Sequence, residues 1–166
     1  MMKSPILTVI GIDPGLSGAL VCIREGTVLA CLDTPVEHST GSRNRLSAPV
    51  LAFHVQNLLK LYQPSMAALE SVSAMPGQGV SSMFSFGRSL GAVEGILAAL
   101  GVATTYYTPS VWKRRYGLLG HPKDASRTRA LELFPNAAGW LTRKKDHGRA
   151  DALLLAHLLL TSGKTS

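Results

Sequence analysis

Three of the ten acidic residues in this 166-residue chain lie beside strongly apolar stretches: Asp13, Glu70 and Asp151. An acid next to buried structure costs free energy unless something compensates it, so such positions are candidates for a function. Asp13 sits at the centre of the string Gly11-Ile12-Asp13-Pro14-Gly15, Glu70 follows Ala67-Ala68-Leu69, and Asp151 comes four residues after His147 at the opening of an apolar helical stretch. A spacing of four puts His147 and Asp151 on one helical face, a turn apart, where both can reach a common ion. Oxygen-rich ligand sets drawn from distant segments suit Mg²⁺ or Mn²⁺, and a pair of such ions can activate water and steady the leaving oxygen in phosphodiester hydrolysis. Singly, each acid has a simpler use. Asp13 can cap its Pro-Gly turn, Glu70 can pair a basic residue, and Asp151 can complement a helix dipole. Their joint placement is what points to a metal site.

For the acids to meet, the elements bearing them must converge. Residues 6–12, 19–24 and 27–33 read as a three-stranded meander whose last two strands join through Glu25-Gly26. Residues 37–45 are polar with Gly and Ser and read as a loop, and residues 48–62 show a helical apolar period stopped by Pro64. A short buried strand at 66–70 precedes a loop over 71–79 and a helix over 80–100. In that helix Gly87, Gly91 and Gly95 share one face. Each mid-helix glycine costs about 1 kcal/mol relative to alanine, so the stripe predicts close approach of another backbone. That backbone is the domain's own sheet, the preferred reading, or a second subunit. A fifth strand at 102–107, basic helices at 110–116 and 123–134, and an apolar helix at 147–160 begun by an Asp146 cap complete the chain. The order predicts one α/β domain over residues 1–166, a five-stranded mixed sheet flanked by helices. If the first and fourth strands are parallel neighbours, their carboxyl ends place Asp13 beside Glu70.

Composition narrows the class. No apolar run approaches the ~18 residues of a membrane span, and the opening residues lack a leader layout, so the expectation is a soluble, cytoplasmic protein, or an organellar one if a transit peptide was removed. Cys22 and Cys31 lack metal or redox spacing and read as small buried hydrophobes. The net charge of +7 is concentrated: ten Lys and Arg against three acids fall between Lys113 and Arg149. Such a block predicts salt-sensitive nucleic-acid binding rather than a merely solvated face.

Four segments resemble RuvC-type Holliday junction resolvases, in order and over nearly the whole chain. They are Gly11-Ile12-Asp13-Pro14-Gly15 with Ser17-Gly18-Ala19, then Ala68-Leu69-Glu70, then Tyr107-Thr108-Pro109-Ser110-Val111-Trp112-Lys113, and finally Asp146-His147-Gly148-Arg149-Ala150-Asp151-Ala152-Leu153. The spacing of four in the last segment departs from the usual bacterial three and is similar to chloroplast-type resolvases and their phage and bacterial relatives. The resemblance implies a ribonuclease H-like fold. It also implies a homodimer that nicks opposing strands of a four-way DNA junction symmetrically, leaving 5′-phosphate ends. Asp13, Glu70 and Asp151 would then be catalytic metal ligands for two Mg²⁺ or Mn²⁺ ions, with His147 a further ligand or a residue that orients water, and with no organic cofactor. Lys123 matches a lysine near the scissile phosphate and would offset charge there.

Phosphate contacts are expected from Lys113, Arg114, Arg115, Lys144, Lys145 and Arg149, about half of them being ordinary surface charges. Sequence preference is expected from the 75–88 segment, where Gln78 and Arg88 can meet the nucleic acid and Phe84 or Phe86 can wedge a stack or fill the core. Trp112 and Tyr116 share a helical face and are expected in the core. Two other readings stay open. A nuclease of the same fold that processes ribosomal RNA would share the acids, and a non-catalytic junction-binding protein would keep them for structure.

Overall fold

The computed structural model describes residues 6–38, 40–41 and 43–162. The opening five residues, on which the expectation about a leader falls, lie outside the described residues. Three strands, β1 (Thr8–Asp13), β2 (Ala19–Arg24) and β3 (Thr27–Asp33), form the antiparallel meander. Glu25 at the β2–β3 turn takes a left-handed φ of 54°. Two short strands follow, β4 (Val36–Glu37) and β5 (Arg45–Leu46), paired antiparallel. This corrects the loop expected over 37–45. Arg45 Nε donates to Glu37 at 2.7 Å and the Ser47 hydroxyl donates to the same carboxylate at 2.9 Å. Two-residue strands are too short to leave an alternation pattern in the sequence.

The remaining elements are α1 (Ala48–Tyr62), β6 (Met66–Glu70), α2 (Val80–Ala99), β7 (Ala103–Tyr107), α3 (Pro109–Arg115) and α4 (Ala125–Leu133). After them come 3-10 turns at Pro135–Trp140 and Lys144–Asp146, then α5 (His147–Ser162). α1 has a proline in its first turn and ends at Gln63, whose φ is 51°, just before Pro64. The main sheet runs β3-β2-β1-β6-β7, with β1, β6 and β7 parallel. Parallel strands need long crossovers, which α1 and α2 supply.

Alternation along β1 and β6 divides the core. Ile10, Ile12, Ala67 and Leu69 face α1 and α2, whereas Val9 and Ala68 face α3, α4 and α5. Gly11 lies on this second face, where a Cβ would strike the Ala152 carbonyl and Ala156 nitrogen of α5. Its lack of a side chain lets α5 lie directly on the central strand. Cys22 and Cys31 are buried free thiols, one in each half of the core. Trp112 is fully buried and Tyr116 nearly so. Phe84 is 72% exposed, whereas Phe86 is half-buried.

The glycines of α2 do not pack as preferred from the sequence. Nothing lies within 4 Å of a Cβ built at Gly87, Gly91 or Gly95. α2 buries Ser89, Val93 and Leu97 instead, each two residues after a glycine. At about 100° per residue, two residues carry the glycines round to the far side of the helix.

Candidate active site

Ile12 pairs with Leu69 in parallel register, so the next residues, Asp13 and Glu70, leave the sheet side by side at its carboxyl end. By alternation both turn toward α5, which brings Asp151 from its second turn. The approach of α5 is again set by a glycine. A Cβ on Gly148 would strike the Ser17 carbonyl and Gly18 Cα, so the helix start rests on the turn that follows Asp13. Asp13 does cap its turn, accepting from the Gly15 N–H at 3.0 Å. Its carboxylate still opens on a pocket of about 300 Å³ lined by Lys113, His121, Lys123, Ser126, His147 and Asp151 among others.

The electrostatics show a site short of positive charge. Burial raises the Asp13 carboxyl, an effect only partly offset by the Gly15 N–H, His147, Lys113 and Lys123. Burial and the neighbouring Asp13 and Asp151 carboxylates push Glu70 up to about 8, against the pull of Lys113 and Trp112. Burial also lifts Asp151 to about 7, with Asp13 adding to it, while Ser126, Lys113 and Lys123 act downward. The indole N–H of Trp112 is buried, favours the ionised Glu70, and completes no hydrogen bond. Three mutually repelling acids with incomplete compensation form a donor set that fits a divalent cation. Among the described residues no three His, Cys, Asp or Glu side chains close into a metal cage.

Asp146 lies apart from this cluster. It does not cap α5 directly but closes the preceding 3-10 turn. One carboxylate oxygen accepts from the Arg143 N–H at 2.7 Å and the other from Arg143 Nε at 2.9 Å, with the acid 2% exposed. Burial opposes its ionisation, but the Arg143 side-chain and backbone hydrogen bonds outweigh that and hold the carboxyl below its ordinary value. The stability that Asp146 contributes is thus present above the ordinary carboxylate range and is lost as the pH falls through the lowered value. Asp146→Ala is expected to cost about 2–3 kcal/mol, measured by urea unfolding at neutral pH.

The basic segment divides in two. Arg127 pairs with Asp124, Arg129 with Glu132, and Arg143 with Asp146. Arg149, expected to contact phosphate, instead donates to both Asp33 oxygens at 2.6 and 2.9 Å and to the Trp140 carbonyl at 3.0 Å. Its guanidinium ties the first turn of α5 to the end of β3. Lys144 and Lys145 are exposed, as are Arg114 and Arg115 on α3. Lys113, expected to contact phosphate, lines the acidic pocket itself. His121 and Ser126 were not singled out from the sequence. The Ser126 hydroxyl donates to the Lys123 carbonyl at 3.0 Å and fixes the turn that presents Lys123. A buried serine leaves no periodic signal that would have found it.

No family model matches the sequence. Thermus thermophilus RuvC in complex with a Holliday junction substrate matches the fold with a TM-score of 0.61 at 21% identity, covering 96% of this chain and 97% of that one. A second Thermus thermophilus RuvC structure gives 0.57 at 20%, covering 96% and 98%. The fold is thus ribonuclease H-like, of the kind seen in RuvC. In sequence, the chain is similar to a chloroplastic Holliday junction resolvase of Chlamydomonas reinhardtii, with 40% identity over 83 residues. That stretch is 49% of this chain and 9% of the relative, so the chain matches less than a tenth of that protein's length.

Proposed function

We propose that this chain is a Holliday junction resolvase, a metal-dependent endonuclease that nicks four-way DNA junctions in symmetric pairs and leaves 5′-phosphate ends. The observation behind this reading is that Asp13 and Asp151, from two separate elements, line one pocket with Lys113, Lys123 and His147, while Glu70, from a third, lies near enough to both acids for their carboxylates to raise its own. Asp13, Glu70, Asp151 and His147 would hold Mg²⁺ or Mn²⁺, two ions in the fully loaded site. Bound there, the metal supplies Lewis-acid activation of water and neutralises the leaving oxygen. Lys123 and Lys113 face the same space and offset negative charge building on the phosphate in the transition state. Arg114, Arg115, Lys144 and Lys145 position the junction through its phosphates, and Gln78 stands in the exposed 71–79 loop to meet a base edge.

Paired nicks at opposing strands need two such sites, hence a homodimer. The glycine face of α2, left open by its own domain, offers a surface for a second copy. Residues 1–166 act as one domain in this reading. No helix among the described residues is long and apolar enough to cross a membrane, and the protein would work where its DNA is, in a cytoplasm or an organelle.

The test is cleavage of a mobile four-way junction beside linear duplex, three-way junction and RNA–DNA hybrid, with Mg²⁺. Paired symmetric nicks confined to the junction are expected. Cutting restricted to the RNA-containing substrate would move the protein to an RNA-processing role, and tight junction binding without any cut would make it architectural. In the same assay Lys123→Ala is expected to slow cleavage by on the order of 10²-fold while junction affinity changes only several-fold.

A further inference from the structure

Beyond the turn after Asp13, the surface continues from the catalytic pocket into a second concavity. Gly15 and Leu16 line that pocket on one side and, on the other, a recess shared with Arg43, Ser82 and Ser85. Arg43 and Ser85 pass in turn into a groove of about 380 Å³, bounded by the β4–β5 hairpin and the first half of α2 and lined also by Arg45 and Arg88. The three concavities therefore form one path, acidic at one end and guanidinium-rich at the other.

The hairpin holds its place through Glu37, which takes up the charge of Arg45. Among the described residues Arg43 and Arg88 have neither an ion pair nor a hydrogen bond, and both are exposed. Glu37 feels Arg88 only at long range. Two uncommitted guanidinium groups beside serine hydroxyls supply forked donors suited to phosphate oxygens. An acidic peptide would satisfy the charge equally well, but the path leads into a pocket whose own chemistry handles a phosphodiester.

We propose that this groove is a second phosphodiester subsite, in which Arg43 and Arg88 grip the nucleic-acid strand where it leaves the catalytic pocket over Leu16. The inference rests on the resolvase reading above. It adds Arg43 and the β4–β5 hairpin to the DNA-binding surface, on the opposite side of the Asp13 turn from Lys123. The hairpin thereby sets how far along the strand the protein holds its substrate.

The experiment is equilibrium binding of a four-way DNA junction by the full chain across a salt series, without cleavage-supporting metal. Arg43→Ala and Arg88→Ala are each expected to lower the slope of log affinity against log salt by about one, and to weaken binding several-fold. The double variant should lower it by about two, and Arg43→Lys should restore the slope. Lys60→Ala, in the last turn of α1 and away from the groove, should match the wild type. Circular dichroism of each variant checks that it is folded. A double variant with the wild-type slope, or an equal loss in Lys60→Ala, overturns the subsite and leaves the resolvase reading intact. A wild-type chain that neither binds nor cuts the junction overturns that reading itself, before any variant is compared.

Discussion

Asp13→Asn is expected to reduce junction cleavage by on the order of 10³-fold or more and at the same time to raise the melting temperature of the metal-free protein. The two effects share one cause. Asp13 is half-buried beside Glu70 and Asp151, and its carboxylate raises the cost of ionising both of them. Replacing one carboxylate by an isosteric amide keeps an oxygen for the Gly15 N–H and relieves that repulsion. In the metal site proposed above, the same replacement removes a charged ligand that the chemistry cannot spare. Scanning calorimetry in EDTA reads the first effect, with roughly 2–4 °C expected for each kcal/mol relieved. Single-turnover cleavage with Mg²⁺ reads the second, and junction binding should persist because the exposed lysines and arginines are untouched. Loss of cleavage with a lowered melting temperature would mean that Asp13 is chiefly a structural cap and that the acids do not form a strained cluster.

Gly148→Ala is expected to slow cleavage by about 10²-fold in a protein that remains folded. The added methyl would meet the Ser17 carbonyl and the Gly18 Cα, both backbone atoms that cannot swing aside. The cheapest relief is a shift of the start of α5 away from the β1 turn, which carries His147 and Asp151 with it. A misplacement near 1 Å is enough for a loss of this size. The stability cost should stay near the ~1–3 kcal/mol of an overpacked site, since α5 remains anchored further along, where Ala152 and Ala156 lie against Gly11. The discriminating readout is kcat against affinity: kcat should fall while junction affinity stays within a few-fold. A parallel loss of binding would show that α5 helps to dock the substrate, whereas unchanged kcat would show that the loop yields instead of the helix.

Several features were legible in the amino-acid sequence because they depend on local pattern. The β2–β3 turn at Glu25-Gly26, the helical period of α1 and its stop at Pro64, and the acids at the ends of β1 and β6 each follow from alternation, periodicity or turn chemistry read over a few residues. The burial of Trp112 and Tyr116 followed from their shared helical face. The RuvC-like resemblance was carried by short strings that contain these same acids.

Other features required the assembled molecule, because they depend on which segments meet. Arg149 and Lys113 read alike as basic residues in a basic stretch. Asp33, 116 residues away in sequence, takes the first into an ion pair, while the arrival of β1 and β6 beside α3 makes the second a wall of the acidic pocket. The glycines of α2 are equally silent about what they face. Tertiary packing turned the Ser89, Val93 and Leu97 stripe inward and left Gly87, Gly91 and Gly95 open. No local pattern marks what Gly11 and Gly148 face, yet they set how closely α5 approaches the sheet, and with it whether Asp151 reaches Asp13 and Glu70. Local sequence thus determined which residues could do the chemistry. The contacts between distant segments decided which of them stand together, because side-chain identity specifies what a group can bind and packing alone fixes what lies within its reach.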